Sequence, residues 1–144
     1  MRLRLVMGCL LVGALGCNSQ PYKLAPVSGK VTLNGKPLAN AYVHFAPIAS
    51  KDNDSPGPTS HGKTDADGKY TLIVDPEHSG AVVGKSRVFI SLHKGGGGGD
   101  DQPDAGGAKG VKEVIPSRYN QQTTLVHEVP PGGTDEANFD LKAP

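Results

Sequence analysis

Apolar and polar residues alternate along most of the chain with a period of two. The first such run begins at Val27, with Val31 and Leu33 on its apolar side and Lys30 and Thr32 on the other. Successive side chains of a strand point to opposite faces, so this run predicts a strand with one buried face. The same alternation recurs in four further stretches, at residues 41–45, 70–74, 86–92 and 137–141.

Turn-forming residues separate these runs. Asn34 and Gly35 tolerate the positive φ of a tight turn, which predicts a hairpin between the first strand and residues 41–45. Residues 65–68 (DADG), ending in Gly68, predict a second hairpin between a short strand at 62–64 and the next strand. Pro47 cannot donate to a ladder and should end its strand.

No stretch sustains the period of 3.6 residues that marks an amphipathic helix. Segments of five to eight residues rich in Val, Ile, Thr, Phe and Tyr instead recur between turn signals. This pattern predicts an all-β fold, an antiparallel β-sandwich of about seven strands with helix confined to a single turn. We expect Tyr70, Leu72 and Val74 on the buried face of one strand and Ala137, Phe139 and Leu141 on that of the last.

The N-terminus is typical of an export signal. Arg2 and Arg4 precede an apolar run of about a dozen residues, too short for a bilayer span of about 20. The segment ending in Cys17 resembles a bacterial lipoprotein signal, in which small residues precede the cysteine that is lipidated. We therefore expect a signal peptide at 1–16 and a membrane anchor at Cys17. An ordinary secreted protein cut near Ala14 or Gly16 is the alternative.

Two further segments carry few apolar residues. Residues 17–26 are polar and contain two prolines, which suits a tether, so the sandwich is expected to span residues 27–142. Residues 94–110 include five consecutive glycines and predict a flexible insertion, because ordering such a backbone costs much entropy. Residues 51–61 (KDNDSPGPTSH) predict a solvated loop.

Charge and cysteine content exclude several classes. The formal net charge is +1, and without Arg2 and Arg4 there are 13 basic against 14 acidic side chains, with no basic patch for nucleic acid. Cys9 lies in the apolar run, so removal of that run leaves no disulfide partner for Cys17. The domain is expected to rely on core packing alone.

Complete chemical motifs are missing. A calcium loop starting at Asp65 would need a glutamate at its twelfth position, which is Pro76, so we expect a turn there. The histidines are too widely spaced for a zinc motif, although a site assembled by the fold stays open. No nucleophile-elbow motif surrounds any of the three serines near predicted strands, Ser86, Ser91 and Ser117. We expect no catalytic residue, no metal ligand and no cofactor. The five histidines are His44, His61, His78, His93 and His127.

Several segments together resemble the carboxypeptidase regulatory-like domains, in particular the short lipoprotein forms abundant in planctomycete-type bacteria. The segments are 27–31 (VSGKV), 35–38 (GKPL), 41–45 (AYVHF) and 64–70 (TDADGKY), with a looser likeness at 116–120 (PSRYN) and 138–141 (NFDL). The resemblance implies a transthyretin-like sandwich that serves as a non-catalytic accessory module. The hydrolases of that fold end in a Tyr-Arg-Gly-Ser motif, whereas this chain ends LKAP.

These observations predict a non-catalytic lipoprotein of the bacterial cell envelope, held to the membrane at Cys17. Its sandwich is expected to be a structural or protein-binding module with an unknown envelope protein or glycan as partner. A module that binds small ligands or carbohydrate is the alternative, and a hydrolase ranks third.

Overall fold

A computed structural model describes residues 21–51, 54–94 and 112–144. These residues form an all-β sandwich in which a six-stranded sheet packs on a four-stranded sheet. The helical structure in the described residues is one 3-10 turn, Ser117–Tyr119. The strands are β1 (Leu24–Ala25), β2 (Ser28–Leu33), β3 (Lys36–Pro37), β4 (Tyr42–Pro47), β5 (Ser60–Lys63), β6 (Lys69–Thr71), β7 (Ile73–Asp75), β8 (His78–Ser79), β9 (Ala81–Val82), β10 (Gly84–Ser91), β11 (His93–Lys94), β12 (Lys112–Glu113), β13 (Val126–Val129) and β14 (Phe139–Leu141).

The six-stranded sheet is antiparallel, in the order β13-β10-β4-β5-β7-β8. Its centre is the long pairing of β10 with β4, in which Val88 faces Phe45 and Ile90 faces Val43. All four side chains are fully buried, because they lie on the face that packs against the other sheet. Two short ladders, β1 with β9 and β11 with β12, flank the sheets.

The four-stranded sheet is built on β2. The strand pairs antiparallel with β6 through its first half and with β3 through its second half. Its other edge pairs with β14 in parallel, so the sandwich contains one parallel pair that the sequence did not predict. Buried apolar side chains of both sheets form one core cluster, to which this sheet contributes Val31, Tyr70 and Leu141.

The prediction of about seven strands is confirmed in outline. Eight strands have three or more residues, and two of these, β6 and β7, are one run interrupted at Leu72. The buried alternation is also as predicted for Val88, Ile90 and Leu92, and for Ala137 and Leu141. Val74 is only half-buried because β7 carries a register irregularity between Ile73 and Asp75.

The first predicted hairpin has the expected turn but not the expected partner. Asn34 and Gly35 have φ of 51° and 80°, and they connect β2 to the two-residue strand β3. The chain then crosses to the other sheet, where β4 pairs with β10 and β5 instead of with β2. The predicted pairing of residues 41–45 with the first strand is therefore wrong.

The second predicted hairpin forms in part, because His61 of β5 pairs antiparallel with Ile73 of β7. The turn forms, because the Gly68 amide donates to the Asp65 carbonyl and Gly68 has φ of 76°. The run after the turn is shared between the two sheets, because β6 pairs with β2 in the four-stranded sheet and β7 returns to β5 in the six-stranded sheet. A Cβ at Gly68 would lie 2.4 Å from the Val31 carbonyl oxygen, so close approach to β2 also requires glycine there.

Three of the predicted segment boundaries differ from those in the structure. Leu24 and Ala25, assigned to the tether, form β1 and pair with β9, so the ordered fold begins before Val27. Ser60 and His61, assigned to the loop, belong to β5, and Lys94 belongs to β11. The signal peptide at 1–16, Cys17 and nearly all of the insertion at 94–110 lie outside the described residues.

Candidate functional site

The outer face of the six-stranded sheet carries an unusual row of side chains. Strand register places Ile73, His61, His44 and Phe89 opposite one another across β7, β5, β4 and β10. His61 is exposed and the other three are half-buried. We call these four residues the outer row. Its composition is aromatic, imidazole and aliphatic, whereas solvent-facing sheet positions are commonly polar.

Neighbouring positions extend this surface. Tyr42 lies next to the outer row, and the Lys63 ammonium is 5.4 Å from the centre of its ring, within reach of a cation–π contact. On the other side, Arg87 pairs with Ala46 and with Val126. The outer row and these five residues together are called the outer face below.

Two of the large apolar side chains on the outer face are well exposed. Tyr42 is 43% and Val126 is 53% solvent-accessible. A single exposed apolar residue is ordinary in a folded protein, but clustered aromatic and aliphatic side chains on one face are typical of a binding surface. The outer face is therefore the candidate functional site.

The fold brings two of the five histidines together. His44 and His61 are directly paired across β4 and β5, and their ring centroids are 6.4 Å apart with an interplanar angle of 33°. Burial, together with the nearby His61, lowers the pKa of His44. A neutral imidazole can accept a hydrogen bond or bind a metal ion, so this pair has chemistry that no sequence motif indicated.

Two other histidines are engaged with carboxylates near turns. The His78 Nδ1 atom is 2.8 Å from the Asp75 Oδ1 atom, and this contact lowers the pKa of Asp75. The His93 Nε2 atom is 3.5 Å from Glu113 Oε2, while the other oxygen of Glu113 accepts hydrogen bonds from backbone amides. Neither histidine is one of the residues that define the outer face.

The fifth histidine, His127, faces the interior. Its ring is 5.5 Å from that of Phe45 and 6.0 Å from that of Phe139, at the edge where β13 and β14 close the sandwich. Burial lowers its pKa, and its Nε2 atom has no hydrogen-bond partner among the described residues. His127 is therefore half-buried, on the same side of its strand as the buried Val129.

Ser86 is the cross-strand neighbour of His127, which raises the question of a nucleophile and its base. The Ser86 hydroxyl is fully buried and has no hydrogen-bond partner in the described part of the chain. A nucleophilic serine needs a base within hydrogen-bond reach and access for a substrate. This arrangement provides neither, and the Ser117 hydroxyl instead lies 3.3 Å from the Gln122 side chain.

The carboxylate of Asp65 acts within its own turn. One oxygen accepts hydrogen bonds from the amides of Asp67 and Lys69, each at 2.9 Å. Across residues 21–51, 54–94 and 112–144, no three or more His, Cys, Asp or Glu side chains are grouped as a metal site. The turn that was expected at this position is present.

A groove of about 550 Å³ lies beside β2 and β6, apart from the outer row. It is lined by Lys30, Lys63 and Lys69 on one hand and by Asp65 and Asp135 on the other. Opposite charges are interspersed there, so the groove offers no uniform field for an anion or a cation.

No family model, curated protein or solved structure matches this chain. Within the described residues, no helix has the length and apolar character needed to cross a bilayer.

Proposed function

We propose that this protein is a non-catalytic lipoprotein of the bacterial cell envelope that is anchored at Cys17 and binds an envelope protein. The outer face is proposed as the binding surface. The observation that carries this proposal is the outward-facing row of Ile73, His61, His44 and Phe89, with Tyr42 and Val126 exposed beside it.

The composition of the outer face favours a protein partner. Tyrosine, phenylalanine and arginine are enriched in protein interfaces, and tyrosine and arginine are also enriched among binding hot spots. A sheet face is broad and presents its side chains at fixed spacing, which suits a large flat partner better than a small molecule. Lys63, Lys85 and Arg87 outnumber Glu128 on this side of the sheet, so an acidic partner surface is complementary.

An anchor at Cys17 would keep the domain, and with it the outer face, close to the membrane. Leu24 begins β1, so six residues lie between Cys17 and the fold, and the seven residue steps from Cys17 to Leu24 hold the start of the fold within about 25 Å of the membrane. Stable attachment requires more than one acyl chain, which bacterial lipoprotein maturation supplies. The resemblance to carboxypeptidase regulatory-like domains, and to their transthyretin-like sandwich, supports an accessory role without catalysis.

Photo-crosslinking in the native host tests the binding surface. A photoreactive phenylalanine analogue replaces Tyr42 in one variant and Lys36, on the exposed strand β3, in a control variant. We expect a discrete crosslinked protein from position 42 only, and its loss when Phe89→Ala is added. Equal products from both positions would refute the outer face as the site, and a carbohydrate-positive product would favour the glycan alternative.

Fatty-acid labelling tests the anchor separately. The wild-type protein should incorporate label and partition with membranes, whereas Cys17→Ser should lose the label. If the wild-type protein carries no fatty acid and is recovered as soluble material, the secreted alternative replaces the anchor.

A further inference from the structure

The clearest unassigned chemistry is the imidazole pair on the outer face. His44 and His61 are cross-strand partners, and the distance between ring centroids is 6.4 Å. Their positions are fixed by a ladder of four registered residue pairs between β4 and β5, so the pair is held by the sheet and not by a loop.

We propose that His44 and His61 form a two-imidazole binding site for a divalent transition-metal ion of the Cu²⁺, Ni²⁺ and Zn²⁺ class. Water, or a group from a partner, fills the remaining coordination positions. This inference does not depend on the proposed function, because it rests on the described residues of β4 and β5 alone.

The spacing of the rings fits such an ion. A metal about 2.1 Å from one nitrogen of each ring requires ring centroids about 5 to 6.5 Å apart, depending on the angle at the metal. The observed 6.4 Å lies at the wide end of this range and corresponds to a nearly linear nitrogen–metal–nitrogen angle, so tetrahedral coordination requires the rings to move about 1 Å closer. The exposed His61 can close the remaining distance by a side-chain rotation, because its side chain lies at the surface.

The surroundings favour a transition metal over calcium or magnesium. The cross-strand neighbours of the pair are Phe89 and Ile73, so no carboxylate lies beside the imidazoles in the outer row. Calcium and magnesium bind oxygen ligands, whereas imidazole suits copper, nickel and zinc, and the Irving–Williams order places Cu²⁺ tightest.

The protonation state also suits metal binding. Imidazole must be neutral to donate its lone pair, and burial and His61 hold the pKa of His44 below its ordinary value of 6.5. The geometry at His78 and His93 is different, because each contacts a carboxylate, Asp75 or Glu113, and not a second imidazole. These two histidines therefore serve as internal controls.

The test is a metal titration of the full chain, purified without a histidine tag in mild detergent. Every protein carries Cys9→Ser and Cys17→Ser so that no thiol competes for the ion. CuCl₂ and ZnCl₂ are titrated at pH 7.5 by calorimetry, with imidazole NMR signals followed for Zn²⁺. The variants are His44→Gln, His61→Gln and the control His78→Gln, and thermal melts confirm that each is folded.

We expect one ion per chain, bound with micromolar affinity and more tightly for Cu²⁺ than for Zn²⁺. Affinity should fall about tenfold or more in both His44→Gln and His61→Gln and should not change in His78→Gln. The NMR signals of His44 and His61 should shift together. Absence of binding at millimolar metal, or an effect of only one of the two substitutions, would overturn the proposal.

Discussion

The inner and outer faces of the six-stranded sheet are made from the same strands but have opposite chemistry. Phe45 on β4 is fully buried in the core, whereas His44, one residue earlier, lies on the outer face beside Phe89 of β10. Alternation along a strand separates the two roles, because neighbouring residues point to opposite sides. Substitutions on one face should therefore change stability, and those on the other should change binding.

The largest expected effect comes from the two phenylalanines. Phe45→Ala removes a fully buried ring and should lower the free energy of unfolding by about 3 to 5 kcal/mol, through lost burial and the cavity left behind. Phe89→Ala, on the outer face of the partner strand, should cost about 1 kcal/mol. Urea denaturation measures the free energy of unfolding of both variants. An equal loss in the two variants would mean that Phe89 is as buried in the free protein as Phe45.

This separation of faces was predictable because it is a local property. The parity of Val88 and Ile90 can be counted along one strand, and the structure buries both. Strand pairing was not predictable in the same way. The turns at Gly35 and Gly68 fix how the chain bends, but the partner of the next strand depends on packing between distant residues. After Gly35 the chain crosses to the other layer, whereas after Gly68 β6 pairs with β2 and β7 returns to β5.

The second matched pair consists of tyrosines. The Tyr70 hydroxyl is in the core, where it donates a hydrogen bond of 2.7 Å to the Ala137 carbonyl and where burial raises its pKa. Tyr70→Phe leaves that carbonyl without its donor and should cost about 1 to 2 kcal/mol. Tyr42→Phe, at the exposed position, should change stability by less than about 0.5 kcal/mol. Chemical denaturation of both variants measures the difference, and a neutral Tyr70→Phe would contradict it.

The candidate site was only half visible in the sequence. The alternation at residues 41–45 predicts that His44 and Phe45 point to opposite faces, and the structure places His44 on the outer face. Its partner His61 was assigned to a loop, since the preceding residues are prolines, glycines and polar residues that carry no strand signal. In the structure β5 pairs with β4, and this pairing places His61 in a strand. The paired residues are far apart in the sequence, so the local composition around His61 does not predict it.

A smaller effect, a gain in stability, is expected when one buried serine is replaced, and an outward-facing serine on the same strand is its control. The Ser86 hydroxyl is buried without a partner among the described residues, so Ser86→Ala should raise stability by up to about 1 kcal/mol. Ser91→Ala, on the outer side of the same strand, should be neutral within about 0.5 kcal/mol. Thermal and urea unfolding at pH 7.5 distinguish these outcomes. A clear loss of stability in Ser86→Ala would reveal a hydrogen bond to that hydroxyl.

The smallest expected effect is a pH dependence at the interior histidine. Burial lowers the pKa of His127 in the folded state below its ordinary value of 6.5, so the unfolded chain binds more protons in the window between the two pKa values. Stability should therefore fall as the pH drops below about 6.5. The contacting residues Phe45 and Phe139 and the cross-strand neighbour Ser86 carry no charge that would offset this.

His127→Phe removes the titrating group and keeps a ring between two aromatic neighbours. The drop in melting temperature between pH 7.5 and pH 5.5 should then be about 1 to 2 °C smaller than in the wild type. Val126→Phe adds a ring at the adjacent exposed position and should leave the pH dependence of the wild type unchanged. The pKa of His44 is also below its ordinary value, so the melting temperature of His127→Phe should still fall somewhat at low pH. Adding His44→Gln should reduce this remaining fall. Identical pH profiles for His127→Phe and the wild type would show that the interior histidine contributes nothing to acid sensitivity, and the difference between the two faces would then be one of packing alone.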